Sequence, residues 1–284
     1  MKKGIVWFRN NLRISDNECL VRALDECDEV LCVYILESRI WNTSSEPVRM
    51  GSIRAKFILE SLKELEGEIN GLGGTIEFLQ GRSVDEIPKL MQKYGADVCY
   101  AQQEDAWEET EQERLLANQV NLVLSQGKGI WEEANLPFAL KDLPAVFSSF
   151  RRKVEKKMEI RSPFPAPERM NCSWEEIDKL PILSSLGFEE CAKDEREVLD
   201  FKGGAKEAKK WMHQWIWERD CLKSYKETRN GLVGADYSSK LSPWLSAGCI
   251  SAVEVYWEIK KYESERVANE STYWLFFELL WREY

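Results

Sequence analysis

The chain of 284 residues holds 39 Lys and Arg against 49 Asp and Glu, a formal net charge of −10, and 44% hydrophobic residues. This composition describes a soluble globular protein with enough apolar material for one large domain or two ordinary ones. The acidic balance excludes a protein that coats nucleic acid through bulk charge.

The apolar run from Gly4 to Phe8 is stopped by Arg9, too early for the core of a signal peptide. The stretch from Thr272 to Trp281 contains Glu278 and is too short to span a bilayer. A cytoplasmic location is therefore expected. Cys19, Cys27, Cys32, Cys99, Cys172, Cys191, Cys221 and Cys249 form no C-x-x-C pair. Reduced, mostly buried thiols are expected, not disulfides or a zinc site. With His213 as the single histidine, neither a Ser-His-Asp triad nor a His-rich metal centre is expected.

Along the chain, strand-like runs fall at Ile5–Phe8, Val30–Leu36, Thr75–Leu79, Val98–Ala101 and Val120–Leu124. Helical segments separate them; in the clearest, Ile53, Phe57, Ile58, Leu62, Leu65 and Ile69 line one face. Strands alternating with helices predict an α/β fold, a doubly wound parallel sheet over residues 1–128 covered on both faces. Ligands of such sheets sit beyond the carboxyl ends of the strands, yet no G-x-G-x-x-G or P-loop follows any of these. Residues 129–200 read as a linker: prolines recur, Ser162–Glu168 is extended, and one short helix is predicted over Leu143–Glu159. Residues 201–284 turn helical and aromatic. They hold 13 basic and 12 acidic side chains, a net of +1, which leaves −11 on the first 200. The chain closes on the apolar helix Tyr273–Tyr284, which too little helical sequence precedes to bury. The expectation is that the chain stops inside a helical domain.

Two segments carry chemistry. In Asn230–Ser251, Ser242 followed by Pro243 marks a helix start with the hydroxyl at the N-cap. Gly248 ends that helix, and Ser251 with Glu254 forms a capping box for the next. Ser238, Ser239 and Lys240 lead into the first helix, where free amides, the helix dipole and a cation would cradle a phosphate. Plain helix punctuation is the alternative. In the second segment, Glu278, Trp281 and Arg282 share a helix face at i, i+3 and i+4, offering an acceptor, a stacking ring and a cation. An exposed ion pair beside a core tryptophan is the alternative there.

Taken together, these strings resemble one family. Trp7–Arg13 with Asp16-Asn17 resembles the opening of photolyases and cryptochromes. Leu136-Pro-Phe with Val146–Glu155, and Tyr225–Leu232 with Asp236–Leu245, resemble the cryptochrome-DASH branch. Phe277–Tyr284 resembles the start of that family's helix beside the flavin. The resemblance implies an α/β domain followed by a linker and the start of an all-helical FAD-binding domain. It implies that Tyr225, Ser238, Ser239, Lys240, Leu241 and Ser242 contact the FAD phosphates and ribityl chain. It also implies Arg282 near the isoalloxazine and Trp274 on the adenine side. Glu278 and Trp281 would face a cyclobutane pyrimidine dimer. In the acidic cluster Glu104–Glu109 after the fourth strand, Glu108 or Glu109 would touch a 5,10-methenyltetrahydrofolate antenna; an exposed acidic helix start is the alternative. The implied activity is light-driven repair of such dimers in DNA, preferably single-stranded, by an electron from reduced FAD. A signalling cryptochrome without repair is the rival reading. Asn11 and Ser15 depart from the Asp and His of many relatives, and both are expected to affect packing of the first loop.

Overall fold

The computed structural model describes residues 1–284 except 45, 158, 176, 191 and 193. Strands β1 (Lys3–Phe8), β2 (Glu29–Glu37), β3 (Ile76–Gly81), β4 (Val98–Gln102) and β5 (Leu122–Ser125) form one parallel sheet in the order β3-β2-β1-β4-β5. Between them run helices α1 (Glu18–Glu26), α2 (Ser38–Trp41), α3 (Ser52–Gly71), α4 (Ser83–Tyr94) and α5 (Trp107–Ala117). The strand order reverses between β1 and β4, so the loops leaving these two strands diverge and open a crevice.

Period-two side-chain alternation sends Ile5 and Trp7 of β1 to one face, with α4 and α5. Val6 and Phe8 go to the other, where α1 and α3 cover the sheet. Burial on both faces explains why the strands read as unbroken apolar runs.

The chain then crosses back over the sheet. Helix α6 spans Phe147–Val154, shorter than the predicted Leu143–Glu159, because Pro144 sits in an extended entry and a turn follows Val154. Met158, inside the predicted range, and Cys191 lie outside the described residues. Further on, Val30 donates to the Asn171 carbonyl at 2.9 Å, stitching the linker to the sheet.

The helical part comprises α7 (Ala205–His213), a π-helical turn at Gln214–Glu218, α8 (Tyr225–Thr228), α9 (Ser242–Ala247), α10 (Ala252–Glu265) and α11 (Glu270–Glu283). One apolar cluster runs from Val6 and Phe8 through Trp211, Trp215 and Trp244 to Leu279 and Leu280, so both parts share a core. The loop after β1 is the polar half of that junction. Arg13, 2% exposed, donates to the carbonyls of Asp16, Gly127 and Gly248. Burial pulls its guanidinium below the ordinary value despite the nearby Glu254 and Asp16 carboxylates. Asn11 folds the loop by accepting from the Arg9 amide at 2.8 Å. Ser15 reaches across to Glu254 at 2.8 Å. Gly248 has φ 71°, and a Cβ there would overlap the Asn10 carbonyl, so only glycine lets α9 approach this loop. Among the described residues no helix is long and apolar enough to cross a membrane.

Candidate functional site

The loop before α9 is shaped from behind by tryptophans. Trp215 Nε1 donates to the Asp236 carbonyl at 3.1 Å and Trp211 Nε1 to the Ser239 carbonyl at 2.7 Å, both from α7 and its π-turn. From α8, Thr228 Oγ1 donates to the Tyr237 carbonyl at 3.2 Å. The loop's carbonyls are thereby engaged, while the amides of Ser238 to Ser242 donate to nothing among the described residues. Lys240 takes the left-handed conformation at φ 51°, and Leu241 follows at φ −76° and ψ −9°. Alternating handedness of this kind turns successive N–H groups toward one point, an anion-binding nest. A left-handed lysine costs roughly 1 kcal/mol, and such strain concentrates where function requires a backbone shape. Lys240 has no ion-pair partner among the described residues.

Ser242 is not the N-cap its sequence suggests. The Leu241 carbonyl already accepts the Leu245 amide at 3.0 Å, so winding begins one residue earlier. Ser242 becomes the first helical residue, followed by Pro243, and its exposed hydroxyl makes no cap bond. The predicted Gly248 stop and the Ser251–Glu254 capping box are both present.

Ser242 and Arg282 line one hollow of about 340 Å³ with Asn10, Arg54, Lys128, Leu245 and Ser246. Three cations and two serine hydroxyls give it the character of an anion site. Arg54 has no carboxylate partner among the described residues. Arg282 Nη1 donates to the Lys128 carbonyl at 2.9 Å.

The other predicted residues of α11 diverge from this hollow. Glu278 Oε1 accepts Trp274 Nε1 at 3.2 Å and lies 3.5 Å from Arg229 Nη1. The Arg229 guanidinium sits 5.0 Å from the Trp274 ring centre. Tyr225 is buried beside this group; burial, aided by the Glu278 charge, pushes its phenol up to about 12. Trp281 lies flat on Phe147 at 3.6 Å and 13° between planes, yet stays 48% exposed. One indole face is thus packed and part of the ring remains open to a second aromatic.

Glu108 and Glu109 stand elsewhere. Glu108 pairs with Arg39 and Arg49 at 2.5 Å each, and Glu109 with Arg39 at 3.0 Å. Glu109 lines a recess of about 80 Å³ beside Trp7 and Tyr34. That is far below the few hundred Å³ of ordinary small-molecule sites. The carboxylate at the crevice is Glu104 instead, 3% exposed, accepting from Asn10 Nδ2 and from Lys128 Nζ at 2.9 Å each. The sequence marks Glu104 only as the start of the acidic cluster in which Glu108 and Glu109 are favoured, and it does not mark Asn10 or Lys128 as site residues. Their signal was position: each follows a strand end at or beside the point where strand order reverses.

Comparison with known proteins places these observations. Residues 4–168 match the DNA photolyase family. The chain is 38% identical to the chloroplastic/mitochondrial cryptochrome DASH of Arabidopsis thaliana, covering 99% of this chain and 51% of that protein. It is also 38% identical to the cryptochrome DASH of Natronomonas pharaonis, covering 100% of this chain and 61% of the relative. The solved Synechocystis cryptochrome superposes with a TM-score of 0.94 at 37% identity, over 100% of this chain and 60% of that one. A class III photolyase from Agrobacterium tumefaciens shares the fold at a TM-score of 0.84 and 24% identity, over 100% of this chain and 58% of that one. The chain thus spans between half and two thirds of the length of these relatives. On the extent of the family match and the identity to DASH proteins over nearly every residue, this chain belongs to the photolyase/cryptochrome family.

Proposed function

We propose that this chain supplies the diphosphate-binding wall and part of the substrate face of a light-driven flavoprotein that repairs cyclobutane pyrimidine dimers in DNA, preferentially single-stranded. The observation that carries this reading is the hollow shared by Ser242 and Arg282. Two separate segments of the helical part meet there beside Arg54 and Lys128, next to a nest whose amides are unengaged. The donors fit a diphosphate: unengaged N–H groups, hydroxyls, Arg54 without a carboxylate partner among the described residues, and two further cations, Lys128 paired with Glu104 and Asp105 and Arg282 near Glu283. In this reading Tyr225, Ser238, Ser239, Lys240, Leu241 and Ser242 contact the phosphates and ribityl chain of FAD, and Trp274 lies on the adenine side. Arg282, expected near the isoalloxazine, lines the hollow with Ser242 and joins the phosphate contacts instead.

Reduced FAD, when bound, supplies the light-excited electron that opens a pyrimidine dimer. The protein's own residues position and select. Glu278 offers a carboxylate acceptor, and the half-open Trp281 ring offers a stacking surface for an unstacked base. Phe147 behind Trp281 fixes the angle of that surface. Charge complementarity enters locally, since the chain as a whole is acidic. A methenyltetrahydrofolate antenna joins this reading through Glu108 and Glu109. It requires Arg39 to swing away and enlarge the recess there. We take the repair reading over signalling because Trp281 keeps an open ring edge beside its packed face.

The test is a flavin titration of the full-length protein followed by blue-light illumination with thymine-dimer oligonucleotides, single- and double-stranded. Flavin uptake with light-dependent loss of dimer, faster on the single strand, supports the proposal. Flavin uptake without dimer loss moves the assignment to signalling. Absence of flavin uptake removes the cofactor site altogether.

A further inference from the structure

Two adjacent residues at the end of α11 grip the segment that leaves β5, and the second has no part in the reading above. Arg282 Nη1 donates to the Lys128 carbonyl, and Glu283 Oε2 accepts the Ile130 amide, both at 2.9 Å. Between these two bonded residues lies Gly129, pressed so closely on Glu283 Oε2 that a Cβ would overlap the carboxylate. The Glu283 side chain is 9% exposed, and its Oε1 has no hydrogen-bond partner. From the same segment, Lys128 Nζ reaches Glu104 at 2.9 Å and Asp105 at 3.1 Å. Helix α11, the segment 128–131 and the loop after β4 are therefore tied in series around the hollow that Arg282 shares with Ser242.

We propose that Glu283 is a positioning residue for that hollow: by holding Gly129–Trp131 against α11 it fixes the Lys128 carbonyl that aims the Arg282 guanidinium. The inference rests on the reading of the hollow as a diphosphate site and adds to it the device that orients its cation. Oε1 faces Arg282 Nη1 at 3.6 Å, an ion-pair distance without a hydrogen bond, so the directed bond of this nearly buried carboxylate is the one to the Ile130 amide. Glycine at 129 meets the same need from the other side, because any side chain would push the carboxylate off the Ile130 amide.

Three variants test this: Glu283→Ala, Glu283→Gln and Gly129→Ala. The readouts are amide hydrogen exchange at Ile130 and Trp131, the Arg282 side-chain N–H signal by NMR, and affinity for FAD. Glu283→Ala should lower protection at Ile130 about tenfold or more, broaden the Arg282 signal, and weaken FAD about tenfold, with β1 amides unchanged. Glu283→Gln keeps an acceptor and should restore all three to within about threefold. Gly129→Ala should reproduce the Glu283→Ala pattern with the carboxylate still present, and it stands in should Glu283→Ala fail to fold. Unchanged Ile130 protection or an unchanged Arg282 signal in Glu283→Ala overturns the proposal. If the unaltered protein takes up no FAD, the cofactor reading fails, while the exchange and Arg282 measurements still decide the role of Glu283.

Discussion

The loop after β1 and the loop before α9 are built from similar residues, yet their polar groups meet opposite fates. In the first, Asn11, Arg13 and Asn17 are buried and their bonds close on the loop itself, on Gly127 and on Gly248. In the second, the carbonyls of Asp236, Tyr237 and Ser239 are taken by Trp215, Thr228 and Trp211, while the amides that follow remain open. A closed loop is part of the fold. An open one, held in a strained shape by its neighbours, is prepared for a partner. The contrast separates residues whose loss should unfold the protein from those whose loss should only weaken binding.

The largest effect should come from Gly248→Ala, on the closed side. The left-handed backbone and the overlap with the Asn10 carbonyl together predict a loss of about 3 kcal/mol or more in denaturant unfolding. Arg13→Met should cost about 3 kcal/mol by leaving three carbonyls without their donor. A loss below about 1 kcal/mol there would mean that water replaces the guanidinium and the loop is not closed. Glu283 sharpens the comparison from the segment after β5, where its carboxylate accepts the Ile130 amide. Burial pushes its carboxyl from 4.5 up to about 6. The folded value lies above the unfolded one, so its contribution to stability is full below about 4.5 and is lost as pH rises through about 6, roughly 2 kcal/mol in all. Glu283→Gln cannot titrate, and its stability relative to the unaltered protein should improve by about that amount between these pH values, in paired unfolding curves. The smallest stability effect belongs to the open loop. Lys240→Gly suits the left-handed backbone and should change stability by within about 0.5 kcal/mol, yet weaken FAD by about tenfold in a fluorescence titration. Equal losses in stability and binding would erase the distinction between the loops.

Much of this was legible in the sequence. The sheet was, because buried parallel strands are continuous apolar runs; only their ends moved, as at β3, which reaches Gly81 beyond the predicted Leu79. The helix start at Ser242-Pro243 was legible to within one residue, and the spacing of Glu278, Trp281 and Arg282 on one helix was legible too, although only Arg282 lines the hollow. Asn10, Glu104 and Lys128 were not, because their meeting depends on β1 lying beside β4, and strand order is a long-range property that no local pattern carries. Trp211 and Trp215 showed as an aromatic-rich helix, but the carbonyls they hold belong to an irregular loop whose backbone has no period to read. Glu283 was hidden in a string whose neighbours drew all the attention; its burial arises from Gly129, more than a hundred residues earlier.

The apolar cluster that joins β1 to α11 has a mechanical consequence. Hinged proteins need a plane of weak packing along which rigid bodies can swing, and here that plane is filled by Phe57, Trp244 and their neighbours. If the proposed flavin and antenna sit on either side, this packing would hold their separation and mutual angle constant, as energy transfer that falls steeply with distance requires.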